Sequence, residues 1–297
     1  MTTGNPNMHI HNYGSFVGHP VEEMKYYKED VSRYTRLHFR RANRFVLLSL
    51  AGACRCAHEQ GIGKKTAVYL TTENGNLGDT ETVLHQIFHM HQFPMPYNFI
   101  NTMSNTASFY VAQSLELLGR NVTFSSKLLS FERGLELTSC DMEMGAVEEA
   151  LIGGVDEASF SKEQFEAKFD RNYDDYTMVE GSCWLLIRQR AEGALGRVSA
   201  VASFAEIGNA VAWLKNESFD RPVKVAHGIL MTPEDKATIG RALPDATPFD
   251  AISEKGYFDS AAACAATTFL ERFNSATLIH INKDTRGHYA LLRIEKY

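Results

Sequence analysis

Apolar positions recur along this chain with two alternating periods, one helical and one extended. Val46, Leu50, Cys54 and Ala57 follow helical spacing and predict a helix over 44–60, closed by Gly61 and Gly63. β-Branched and aromatic residues after Lys64 and Lys65 predict a strand over 66–72. A first strand is expected over 8–17, and a helix over 80–90 after the turn-rich stretch 75–79. A helix over 104–118 ends at Gly119, and a short strand follows at 122–125. A helix over 131–145 then leads into an apolar strand at 150–155, interrupted by Gly153 and Gly154. The stretch 159–175 is polar, acidic and aromatic, and reads as the link between two halves. Beyond it, strands are expected at 183–188, 198–204, 223–226, 276–281 and 289–294, with helices at 207–216, 233–242 and 260–273.

Strand–helix alternation in both parts predicts an α/β protein with a mixed central sheet in each half. The halves are placed at 1–170 and 171–297, packed as one compact unit. In such layers the chemistry sits on loops and helix starts.

Composition narrows the function classes. The 297 residues, 44% of them hydrophobic, suffice for a large core. A net charge of −6 argues against general nucleic-acid binding. No apolar run has membrane-spanning length, and 1–11 lacks the pattern of a signal peptide, so a cytoplasmic protein is expected. Five scattered cysteines (Cys54, Cys56, Cys140, Cys183 and Cys264) suit reduced thiols, each read as a small buried hydrophobe. Neither Cys54-Arg55-Cys56 nor the group His85, His89 and His91 has a complete metal-site pattern, and no metal or cofactor is expected. Arg33, Arg36, Arg40, Arg41 and Arg44 form a basic run, read as a solvated face with local ion pairs rather than a docking patch.

One segment carries more information. Asn121-Val-Thr-Phe-Ser-Ser126-Lys-Leu-Leu-Ser130 is similar to the Asn-Leu-Thr-Val-Ser-Ser-Ala-Cys-Ala-Ser of β-ketoacyl synthases. Upstream, Asn101-Thr-Met-Ser-Asn105 and Leu118-Gly119-Arg120 stand in the family's order. Downstream, Ala150-Leu-Ile-Gly-Gly154-Val-Asp-Glu157 resembles its Ala-Leu-Ala-Gly-Gly-Ala-Asp-Glu. Further on, Glu180-Gly181, His227-Gly228 with Thr232, Pro233 and Asp235, and Gly256-Tyr257 before Ala261-Ala262-Ala263 resemble later family elements. The chain thus resembles the β-ketoacyl synthase family over most of its length. The resemblance implies a thiolase-like fold, a duplicated five-layer αβαβα sandwich with two mixed central sheets.

Condensation in that family needs a thiolate that accepts an acyl group, and two imidazoles that support decarboxylation and the developing oxyanion. By the resemblance, the nucleophile position falls on Leu128, which cannot be acylated. The first histidine is kept as His227, the second falls on Tyr257, and the family's lysine falls on Ile252. The glycine-rich gate is replaced by Lys283-Asp-Thr-Arg-Gly287. Ser126 is expected to point elsewhere, and Cys140 lies twelve residues on, about 18 Å by helix rise, too far to substitute. The resemblance therefore implies a non-catalytic, chain-length-factor-like subunit, akin to partners in type II polyketide and aryl-polyene systems. It would pair with an active β-ketoacyl synthase, meet an acyl carrier protein, and shape an acyl tunnel near Ser126, Leu128, Leu129 and His227. Two alternatives remain open: an acyltransferase or hydrolase using His227 and a serine, and a stand-alone acyl-binding module.

Overall fold

The computed structural model describes residues 7–36, 42–169 and 176–297. The first half contains β1 (Met8–Gly18), α1 (Met24–Val31), α2 (Arg44–Ala57), β2 (Ala67–Thr71), α3 (Leu77–Phe88), α4 (Pro96–Asn101), α5 (Asn105–Ser114), β3 (Asn121–Phe124), α6 (Ser130–Glu143), β4 (Glu149–Asp156) and α7 (Lys162–Phe169). There follow β5 (Glu180–Arg188), β6 (Gly196–Phe204), α8 (Ile207–Lys215), β7 (Val223–His227), α9 (Pro233–Ala242), β8 (Thr247–Pro248), α10 (Ala251–Lys255), α11 (Ala261–Arg272), β9 (Thr277–Lys283) and β10 (Tyr289–Lys296). The main expected strands and helices are present. Those without a clear period in the sequence are α1, α4, α7, α10 and the two-residue β8. Helix α7 lies in the stretch read as a link, whose acidic part, 170–175, is outside the described residues.

The strands form one sheet in the order β3-β2-β4-β5-β1-β6-β10-β9-β7-β8. Read outward from its middle, this order repeats itself. Strands β1 to β5 are arranged 3-2-4-5-1, and β6 to β10 mirror that arrangement. The pairing senses repeat too: β2 is parallel to β3 and β4 as β7 is to β8 and β9, while β5 and β10 run antiparallel to both neighbours. The expected duplication is thus written in the topology. The two sheets meet through a short seam, where Met8, His9 and Ile10 of β1 face Val198, Arg197 and Gly196 of β6. Strand β5 pairs with β1 and β4, so in strand order the first set closes at Arg188, after the 170/171 division drawn from the sequence.

Side-chain alternation builds the layers. On β5, Leu185 and Ile187 face the central core, whereas Trp184 and Leu186 face α2 on the outside. Helices α6 and α11 fill the central layer: α6 packs on β2, β4, β6 and β10, and α11 on β1, β4, β5 and β9. The run Ala261-Ala-Ala-Cys-Ala-Ala266 lets α11 lie buried between two sheets, because small side chains permit close backbone approach. Helix α2 covers the first sheet and is almost wholly buried, with Asn43 capping its first turn through Val46 N–H at 2.8 Å. Helices α8 and α9 pack on each other on the far side of the second sheet.

Candidate functional site

Strand β3 ends at Phe124, and the chain turns sharply into α6 through Lys127 (φ 38°) and Leu128 (φ 69°). Left-handed backbone at a γ-branched residue is uncommon and costs about 1–3 kcal/mol where the surroundings impose it. The turn is pinned from both sides. Asn282 at the end of β9 donates to the Leu128 carbonyl at 2.6 Å and to Glu132 Oε1 at 3.1 Å. Glu73, just past β2, accepts the Ser130 backbone N–H at 3.1 Å and the Ser130 hydroxyl proton. Leu128 and Leu129 are buried, at 9% and 2% exposure. Ser126 is half-buried, and its backbone N–H donates to Ser130 Oγ at 2.7 Å.

Glu73 was not legible as a site residue in the sequence, nor were its acidic neighbours. Burial raises its carboxyl to about 7, against the opposing hydrogen bonds from Ser130 and from the Leu128 and Ser130 backbone. Asp156, wholly buried at the end of β4, accepts the Thr72 hydroxyl at 2.8 Å, the Glu73 and Asn74 N–H groups at 2.9 and 3.0 Å, and the Ser260 hydroxyl at 2.5 Å. Burial, and then the charges of Asp259 and Glu73, hold its carboxyl well above the usual range. Asp259 is raised by burial and accepts the Tyr257 phenol at 3.0 Å and the Asn74 amide. A Thr72-Glu73-Asn74 run directly after a strand was the available signal, but nothing local marks it as buried.

The positions matched by resemblance to the second histidine and the lysine come together in the structure. Tyr257 is buried in an aromatic and aliphatic cluster with Phe165, Tyr176 and Ala261, against which Ile229 and Ile252 pack. Burial drives its phenol well above the ordinary value. His227, the last residue of β7, lines a cleft with Tyr176, Ile229 and Ile252 of that cluster. Its Nε2 is buried and has no hydrogen-bond partner among the described residues, so no serine hydroxyl of those residues bonds to it. Burial, helped by Lys236, lowers His227 to about 4, which keeps the imidazole neutral near pH 7. The structure thus joins Ser126, Leu128 and Leu129 in one elbow and places Tyr257 and Ile252 in one apolar cluster, of which Tyr176, Ile229 and Ile252 line a cleft together with His227.

Several other expectations change. Cys140 is exposed, not buried, since its position on α6 faces outward; the other four cysteines are buried. Arg44 is not on a solvated face: it donates to the Val21 carbonyl at 2.6 Å and lies 3.7 Å from the buried carboxylate of Glu180. Arg33 sits 3.9 Å from Asp30, while Arg40 and Arg41 lie outside the described residues. His85 and His89 stack with ring centroids 5.0 Å apart. No helix among the described residues is long and apolar enough to cross a membrane.

No family model matches the sequence, and no curated protein matches it. Solved structures do. The ishigamide ketosynthase/chain length factor aligns over 99% of both chains, with a TM-score of 0.68 and 15% identity. A ketosynthase complex with the acyl-carrier protein of a type II polyketide synthase, bound to the hexaketide, gives a TM-score of 0.74 at 10% identity over 99% of this chain and 100% of the other. The 3-oxoacyl-(acyl carrier protein) synthase III of Pseudomonas aeruginosa PAO1 gives 0.61 at 14% identity, covering 97% and 98%. This chain has the thiolase-type fold of the ketosynthases.

Proposed function

We propose that this protein is a non-condensing, ketosynthase-like subunit that pairs with an active β-ketoacyl synthase and shapes the tunnel in which a growing acyl chain lies. The observation that carries this reading is Leu128. It occupies the left-handed turn into α6, where the fold would present a nucleophile, and its hydrocarbon side chain has no atom to acylate. The surroundings agree. A carboxylate, Glu73, faces the first turn of α6, where a positive helix end would otherwise favour a thiolate.

Pairing is supported by the edge of the first sheet. Strand β3 is a terminal strand of the sheet, α5 packs against it, and the stretch from the end of α3 through α5 exposes Phe88 (67%), Phe93 (100%), Phe99 (59%) and Phe109 (58%), with Met90, Met95, Ile100 and Met103. A concentration of exposed aromatic and aliphatic side chains in one stretch of chain favours an interaction surface. An interface built on it belongs to the large, obligate class, above about 2,000 Å². The acyl carrier protein is the expected donor of chains to the assembled pair.

The test is co-expression with an active synthase that carries the Cys-His-His set, followed by native mass spectrometry and turnover with malonyl-loaded carrier protein. A one-to-one complex is expected, with acyl adducts on the synthase alone. An acyl adduct on this chain, or carbon–carbon bond formation by it unaided, would overturn the reading.

A further inference from the structure

The last turn of α3 carries two histidines, His85 and His89. They stand four residues apart, and the His89 backbone N–H donates to the His85 carbonyl at 3.0 Å. Four residues are just over one helical turn, so both side chains leave the same face. That face is the solvent side. Val83 is the buried residue of α3, and at about 100° per residue His85 and His89 lie about 200° and about 240° round from it. Both histidines are exposed, and neither ring makes a hydrogen bond or ion pair among the described residues.

The two rings stack, with centroids 5.0 Å apart and planes inclined by 28°. A zinc-like ion held at about 2.0–2.1 Å by two imidazole nitrogens in tetrahedral geometry needs those nitrogens about 3.3 Å apart. Rings with centroids 5.0 Å apart reach that spacing by side-chain rotation alone, each turning a nitrogen edge toward the other. The backbone beneath them is already closed. The Met90 N–H donates to the His85 carbonyl at 3.2 Å and the Gln92 N–H to the Gln86 carbonyl at 2.9 Å, while His91 takes the left-handed conformation that ends the helix (φ 52°). An ion thus meets a preorganised pair. No group of three His, Cys, Asp or Glu side chains among the described residues could hold a metal, so the protein supplies two ligands here.

We propose that His85 and His89 together chelate one divalent transition-metal ion of the imidazole-preferring class, Zn²⁺ or Cu²⁺, with water in the remaining positions. Mg²⁺, which takes oxygen ligands, does not fit this pair. The bound ion clamps the last turn of α3 beside the exposed Phe88 and Met90, and it stabilises the folded chain by mass action. The site does not rest on the proposed pairing with a synthase. It operates in the chain alone, so its failure leaves that reading untouched.

The test titrates the full chain with Zn²⁺, and with Mg²⁺ as the control, followed by calorimetry and by histidine ring-proton shifts. Zn²⁺ is expected to bind saturably and one-to-one and to shift the ring protons of His85 and His89, and Mg²⁺ to leave them unmoved. His85→Ala and His89→Ala, at exposed positions, are each expected to weaken Zn²⁺ by about tenfold or more, because a lone imidazole loses its intramolecular second contact. His19→Ala, exposed just after β1, is expected to leave the affinity unchanged. Moving the imidazole by one position, His89→Ala with Met90→His, breaks the one-turn spacing and is expected to weaken Zn²⁺ as much as His89→Ala alone. Absence of saturable Zn²⁺ binding, a smaller loss in either single variant, an equal loss in His19→Ala, or full affinity in the relocated variant would overturn the proposal.

Discussion

Glu73 and Ser130 are joined twice, by the Ser130 backbone N–H at 3.1 Å and by its hydroxyl. The turn that would activate a thiol is therefore already occupied by a carboxyl group. Leu128→Cys should consequently give a sluggish thiol, with a pKa at or above the ordinary value of about 8.5, read from the pH profile of alkylation. Adding Glu73→Gln should lower that pKa, because the helix end then acts unopposed. A thiol in the single variant already ionised at neutral pH would contradict this account.

The buried acids make stability depend on pH. Glu73 is raised to about 7 and Glu157 to about 8, both chiefly by burial. Each binds its proton more tightly in the folded than in the unfolded chain, so stability falls as pH rises from about 4.5 toward those values. Asp235 acts oppositely: bonds from Lys283, Thr232 and Tyr289 lower it to about 2, and its contribution fades as pH falls below about 4. Urea midpoints should therefore peak in mildly acidic buffer. Glu157→Gln should flatten the decline between pH 5 and pH 8, and an unchanged slope would count against the assignment.

Gly153 and Trp184 explain one of the glycines in the Gly-Gly motif. A Cβ on Gly153 would lie 2.1 Å from Trp184 Cδ2, and the fully buried indole is fixed by its N–H to Ser182 Oγ at 2.9 Å. Gly153→Ala should cost about 1–3 kcal/mol or more in urea unfolding. Gly208→Ala, on α8 with open space around the new methyl, should instead stabilise by about 0.5–1 kcal/mol. Equal effects at the two positions would refute the packing argument.

The exposed aromatic patch gives a further test. Phe99→Asp, at a position 59% exposed, should leave thermal unfolding within about 0.5 kcal/mol of the parent. On size-exclusion chromatography, the same variant should lose association with a partner synthase. Full retention of the complex would move the interface elsewhere.

The sequence alone determined the alternation of strands and helices, because it rests on local period; the duplicated fold and the matching of Leu128 to the nucleophile position came from the resemblance to β-ketoacyl synthases. The same resemblance matched Tyr257 and Ile252 to the second-histidine and lysine positions. Only the tertiary structure decided which buried groups meet. Glu73, Asp156 and Asp259 are distant in sequence, and they converge because β2, β4 and the start of α11 end at one side of the first sheet. The short elements α4, α10 and β8 were not legible, since a turn or two of helix or a two-residue strand has too few positions to show a period. The direction of His227 was likewise beyond the sequence: the outward face of β7 is fixed by its pairing with β9, and pairing is a property of the sheet, not of the strand.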